Sequence, residues 1–286
     1  GLFNDKGTSI AIAGNNGYVI GGSTQSANAI NSKGWFFKIT PTGDLVWSKL
    51  VGGNTMNDDL ANVMASDDLG LIVTAADLSN NENFKIIKTD YFGNLSCGLE
   101  DFVPVLNDYN LPHSNMPVIS SNLGGEQVVS LTAIASSLVY TIACQPAISE
   151  SQTFQKVIVA PNNDAIYDVK ETLDGGVIAT GTSLTGVHGQ SDCFLTRLDK
   201  NGDTMWTKFY GSAFYESSQG VIVEDDGSFL FVNTLGILTR INGEGDVLNA
   251  FSYGNGQSFS LEKTSQSAYL LGANGADVTK LDSDLL

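Results

Sequence analysis

The 286-residue chain carries 31 acidic against 14 basic residues, a formal net charge of −17. A surface this acidic repels phosphate backbones instead of releasing their counterions, which argues against any nucleic-acid partner. With 42% hydrophobic residues, 9% aromatics and 31 glycines, the chain can bury a large core while turning often, so it is not a disordered polypeptide. The longest uncharged stretch, residues 128–144, is shorter than a bilayer span and is broken by hydroxyl side chains, so no transmembrane segment of its own is expected.

From the N-terminus onward, apolar runs of strand length alternate with Gly, Asn and Asp punctuation, and helical periodicity is scarce. A second-strand signature follows a turn at Gly17, Gly70, Gly124, Gly176, Gly227 and Ser267, with spacings of 53, 54, 52, 51 and 40. A period of this length with four strands in each unit is the mark of propeller blades. The expectation is an all-β, six-bladed β-propeller of four-stranded antiparallel blades, one domain over residues 1–286. Its blades are expected at 8–54, 58–104, 113–161, 164–212, 216–254 and 257–286. The fourth unit is the most complete.

The third strands give an independent register. A basic residue stands five positions before a turn glycine in Lys38 and Gly43, Lys88 and Gly93, Arg197 and Gly202, and Arg240 and Gly245, and Lys280 fits as a fifth copy. The third unit has neither the basic residue nor the glycine, which makes it an atypical blade. Four residues beyond the turn glycine stand Trp47 and Trp206, with Cys97 and Asn249 at that position in the second and fifth units. A large aromatic at a fixed repeat position fills the gap between adjacent blades. Residues 1–3 are expected beside the segment after Asp282, sealing the ring where both termini meet.

The three cysteines leave two readings open. Cys97 and Cys144 bracket the aberrant unit and form a candidate disulfide, or all three cysteines, Cys193 included, are separate thiols. His113 and His188 stand alone, so no metal site is expected. The Asp-Asn-Gly clusters at 199–203 and 242–246 recur at hairpin positions and read as turns instead of calcium loops. There is no nucleophile elbow and no phosphate loop, so no catalytic residue, no cofactor and no enzymatic activity are expected.

What remains is surface. Loops joining second to third strands share a face with those joining one blade to the next, and they are long and polar here. A binding face is expected to contain Asn28, Asn31, Asn81, Asn83, His188 and Asp192, with Asn57, Asp58, Tyr215 and Glu216 from the inter-blade loops.

Residues 182–212, TSLTGVHGQSDCFLTRLDKNGDTMWTKFYGS, resemble the delta-60 or quinoprotein-like repeat of exported bacterial propellers, and WFFKITPTGDLVWSKLVGG repeats much of it. The segment from Cys97 to Cys144 resembles a cysteine-bracketed insert of some of these proteins. The resemblance implies an exported protein of a gram-negative bacterium, at the cell surface or on the periplasmic side of the outer membrane. It implies protein partners in the cell envelope, as a scaffold subunit or adhesin domain, and it transfers no catalytic residues. The alternative is a carbohydrate-binding or carbohydrate-processing propeller with a glycan on the loop face.

Overall fold

The computed structural model describes residues 4–13, 17–26, 32–51, 58–77, 83–95, 99–101, 127–128, 133–135, 139–144, 153–159, 164–184, 187–253, 258–264, 268–273 and 277–282. Blade one is an antiparallel meander of β1 (Asp5–Ala13), β2 (Gly17–Thr24), β3 (Lys33–Ile39) and β4 (Leu45–Val51). The turn between β3 and β4 closes through Gly43 N to Thr40 O (3.0 Å) and Thr40 N to Asp44 O (2.9 Å). Gly43 takes φ +93° there, a left-handed conformation that a side chain opposes.

Blade two starts in the same way, with β5 (Asp58–Ala65), β6 (Leu71–Asp77) and β7 (Asn83–Thr89). Its turn at Asp90–Asn94 is formed, with Gly93 N donating to Asp90 O at 3.1 Å, but the chain then leaves the blade. β8 (Leu99–Asp101) pairs with β4 of blade one, and β9 (Gln127–Val128), β10 (Ala133–Ala135) and β11 (Val139–Cys144) follow before β12 (Phe154–Val159) returns to pair with β7. Blade three is β13 (Ala165–Glu171), β14 (Val177–Ser183), β15 (Asp192–Leu198) and β16 (Thr204–Tyr210). Blade four is β17 (Ser218–Val223), β18 (Phe229–Asn233), β19 (Ile237–Ile241) and β20 (Val247–Ser252). Blade five is β21 (Ser258–Lys263), β22 (Tyr269–Ala273) and β23 (Asp277–Leu281).

Among the described residues the protein therefore has five blades, not six, and the strands of the expected third blade at 113–161 form no sheet of their own. Its strands are shared out: β9 extends blade four beside β20, β10 extends blade three beside β16, and β11 extends blade two beside β12. The reason is local. The stretch lacks the basic residue and the turn glycine of the other units, and its short strands satisfy the open outer edges of existing blades, β11 pairing with β12 at the edge of blade two. Gly70 and Gly176 lie 106 positions apart, twice the period, so an excursion of one period counted as a blade.

Among the described residues, buried apolar side chains form four clusters, each bridging consecutive blades. Phe36 and Leu60 meet between blades one and two, Phe84 and Phe194 between two and three, Tyr210 and Phe231 between three and four, and Leu230 and Leu271 between four and five. A repeated contact tightens the first three junctions. The Trp47 ring lies over Gly93 of the next blade and Trp206 over Gly245, so a methyl on either glycine would stand 2.9 or 3.3 Å from indole carbons. In blade two this position belongs to Phe154 over Gly202, where a methyl would stand 2.7 Å from the ring. The sequence placed Cys97 there, which is corrected: Phe154 pairs with Lys88 as Trp47 pairs with Lys38 and Trp206 with Arg197. Cys97 itself lies outside the described residues, and with it the candidate bridge to Cys144; Cys193 is a buried free thiol.

The repeating basic residue also reaches across these four junctions. Lys38 Nζ sits 4.1 Å from the Tyr91 ring centroid, Lys88 Nζ 3.5 Å from Glu171 Oε1, Arg197 Nη1 2.8 Å from Gly243 O, and Arg240 Nη2 3.5 Å from Tyr269 Oη.

The five innermost strands, β1, β5, β13, β17 and β21, surround a central cavity of about 380 Å³. Each carries a bulge, at Gly7/Ser9, Leu60/Asn62, Ile166/Asp168, Ser218/Gly220 and Ser258/Ser260, and in the first three the residue after it, Ser9, Asn62 or Asp168, reaches the adjacent blade. The expected contact of residues 1–3 with the segment after Asp282 falls outside the described residues.

Candidate functional site

Among the described residues, the central cavity and the loop face of blade three each gather chemistry-bearing side chains. In the cavity wall, Ser9 Oγ donates to Asn62 Oδ1 (2.7 Å) and Asn62 Nδ2 donates to Asp168 Oδ1 (2.9 Å). Asp168 also accepts from Val169 N (2.9 Å) and Lys170 Nζ (3.2 Å), and its Oδ2 accepts from Val221 N of blade four at 3.0 Å. This carboxylate is saturated with donors from its own strand and two neighbouring blades. It ties the ring together.

On the loop face, residues 184–191 join β14 to β15, and residues 211–217 join blade three to blade four. The first loop is pinned at both ends by buried carboxylates. Asp164, entering β13, accepts from Leu184 N (3.1 Å) and from the Ser183 hydroxyl; Asp192, opening β15, accepts from His188 N at 2.9 Å. The second loop is gripped by Glu216, whose Oε1 accepts from both the backbone and the hydroxyl of Ser212. The two loops are fused through Glu216 N to Ser191 O (3.0 Å) and Ser191 Oγ to Glu216 O (3.0 Å). Gly211 has no space for a side chain, since a methyl there would meet Asp192 Oδ1 at 2.2 Å.

This scaffold decides which residues face water. Asp192 and Glu216 are buried and the His188 side chain is nearly so, with its Nδ1 at 3.6 Å from Asp192 Oδ2. The sequence treated these three as presented groups; the structure makes them the internal bracing. Tyr215 is presented, 66% exposed beside Phe214 at 68%, with Leu184 and Val187 exposed on the adjoining loop. Phe214, Leu184 and Val187 were missed, although two adjacent aromatics in the polar stretch SAFYESS were the available signal. Of the remaining expected residues, Asp58 and Asn83 stand at the starts of β5 and β7, while Asn28, Asn31, Asn57 and Asn81 lie outside the described residues.

Burial sets the electrostatics of the bracing. It pushes the Glu216 carboxyl above its usual range, opposed by the Ser212 hydrogen bonds and reinforced by the charge of Asp192. It pushes the Cys193 thiol well up, so this cysteine is an inert packing residue and not a nucleophile. The Asp164 carboxyl is raised from 3.8 to about 6, chiefly by burial, with one oxygen lacking any hydrogen-bond partner. The folded chain thus holds this proton more tightly than the unfolded chain. Stability falls as pH rises from about 4 to about 6 and is level above that, a loss of no more than about 2 kcal/mol after allowing for nearby solvent. Asp164→Asn is expected to flatten that slope in urea titrations at pH 4 to 8; an unchanged slope would acquit Asp164. No cluster of His, Cys, Asp and Glu with metal-binding geometry occurs among the described residues.

No family model matches the chain, and no curated protein does. Among solved structures it is similar to a protein of unknown function from Bacteroides caccae, at 10% identity and TM-score 0.52 over 99% of this chain and 80% of that one. It is similar at TM-score 0.49 to Sqt1 from Chaetomium thermophilum, with 12% identity over 98% of this chain and 69% of that one. PorZ, an essential bacterial surface component of the type-IX secretion system of Porphyromonas gingivalis, gives 8% identity and TM-score 0.48 over 96% of this chain and 32% of its own. At these identities the likeness to the Bacteroides caccae protein bears on fold alone.

Proposed function

We propose that this chain is a non-enzymatic interaction propeller of the bacterial cell envelope, a scaffold subunit or adhesin module that holds a protein partner through the loop face of blade three. The observation that carries the reading is the exposed apolar group Leu184, Val187, Phe214 and Tyr215, set on two loops locked together by buried carboxylates and backbone hydrogen bonds. Apolar side chains held outward on a rigid base lose little entropy on binding, which suits them as anchors. The envelope location rests on the likeness of residues 182–212 to the repeat of exported bacterial propellers. Among the described residues no helix is long and apolar enough to cross a membrane.

The test is affinity recovery from mildly solubilised source membranes, with cross-linking and mass spectrometry, comparing the wild type with a Phe214→Ser, Tyr215→Ser variant. Both side chains are exposed, so the midpoint of thermal unfolding is expected to stay within about 2 °C. A stoichiometric envelope protein cross-linked to residues 184–191 or 211–217, and lost in the variant, is the expected result. Retention of the partner by the variant, or recovery of a glycan ligand in place of a protein, overturns the reading.

A further inference from the structure

Four of the five junctions around the ring have a buried apolar cluster; between blade five and blade one there is none among the described residues. The two faces that meet at the other junctions are bare here. Val278 stands two residues before Lys280, the place of Phe36, Ile86, Leu195 and Leu238 in blades one to four; those four are 0% exposed and Val278 is 70% exposed. On the opposite wall, Ile10 pairs with Ile20 as Val63 pairs with Val73, Val169 with Ala179, Val221 with Phe231 and Leu261 with Leu271. Its four counterparts are no more than 2% exposed, whereas Ile10 is 64% exposed.

The outer edge of the same seam is bare too. Among the described residues β23 has a partner on one side only, β22, so blade five shows three strands. Gly43, the turn glycine of blade one, has nothing within 4 Å of the position its side chain would take, while Gly93, Gly202 and Gly245 are each covered by an aromatic ring of the preceding blade. The residue after that glycine accepts a lysine two positions beyond the aromatic: Lys49 Nζ to Asn94 Oδ1 (2.9 Å) and Lys208 Nζ to Asp246 Oδ1 (2.6 Å). Its counterpart in blade one, Asp44, is exposed and accepts from the hydroxyls of Thr40 and Thr42.

We propose that the seam between blades five and one is an acceptor site for an extended strand of a partner polypeptide carrying aromatic-x-Lys. The strand pairs with β23, sets its aromatic opposite Lys280 and into the apolar seam beside Val278 and Ile10, and directs its lysine to Asp44. Three of the four filled junctions supply the rule, since Trp47-Ser48-Lys49, Phe154-Gln155-Lys156 and Trp206-Thr207-Lys208 share it, while the junction of blades four and five has Asn249-Ala250-Phe251 there. Blade two also shows that this fold takes its fourth strand from a distant stretch of chain, since β12 reaches β7 only after the excursion. The partner is recognised by backbone pairing, one aromatic and one cation against an acidic surface. This surface is separate from the loop face and independent of its role.

The test uses a fluorescent synthetic peptide with the sequence of residues 201–212, NGDTMWTKFYGS, added to the intact chain. Expected are saturable binding and slowed amide exchange confined to residues 277–281. Changing the peptide's tryptophan to alanine is expected to weaken binding by about ten-fold, the scale of one lost aromatic anchor. Val278→Asp, at an exposed edge position that leaves folding intact, is expected to abolish it, and Asp44→Lys to weaken it by roughly three-fold. No binding at 1 mM peptide (roughly −4 kcal/mol), equal binding by Val278→Asp, or slow exchange at residues 277–281 in the free chain each overturns the proposal. So does a dimer in sedimentation that buries Val278 against a second copy.

Discussion

Phe154→Ala is expected to lower the unfolding free energy by about 3 to 4 kcal/mol, the range for emptying a fully buried aromatic site. Phe154 is buried in the cluster between blades two and three, and its ring covers Gly202, which at φ +84° cannot accept a side chain to fill the space. Trp206→Ala removes the equivalent contact over Gly245 and the indole hydrogen bond to Gly243 O at 2.9 Å, so its loss is of the same order. Urea unfolding of both variants checks the equivalence. If Phe154→Ala is silent while Cys97→Ala is costly, the fourth strand of blade two has been assigned to the wrong stretch of chain.

The second large effect is expected at the centre. Asp168→Ala strands Val221 N, Asn62 Nδ2 and the Lys170 ammonium, all of which meet on one carboxylate. Leaving buried donors and a partly buried cation without an acceptor costs about 3 to 5 kcal/mol. Asp168→Asn keeps one acceptor oxygen and loses about half as much. Because the carboxylate joins blades two, three and four, the loss is expected to appear as one cooperative transition at lower denaturant concentration. A change under about 1 kcal/mol for Asp168→Ala would mean that water replaces the lost acceptor.

Where chemistry is fixed by a single turn, the fold was legible. The basic residue five positions before a turn glycine identified the third strand of blades one to four and, through Lys280, of blade five, because a left-handed turn needs glycine at one place. The blade count was not legible. Strand-length runs look alike whether they pair within a unit or add to a distant sheet, and the excursion happens to match the repeat in length. On the loop face, the exposure of Tyr215 was legible because it stands among polar residues in a loop. Asp192 and Glu216 were placed on the surface because a carboxylate near a loop reads the same whether it faces water or caps backbone amides. Phe214, Leu184 and Val187 were passed over because single apolar loop residues carry no periodic signal.

The path of the excursion has a temporal side. The segment from β8 to β11 visits blade one, then four, then three, then two, against the order in which the blades are made. Gln127 and Val128 can find their place only after residues 247–252 have been synthesised, and β12 can complete blade two independently of them. β8 finds its partner β4 already made, but β9 and β10 must wait for β20 and β16, which follow them in the chain. Assembly therefore begins with self-sufficient hairpins and finishes with a late fastening of β10 and β9, the second across more than a hundred residues, a contact that closes slowly.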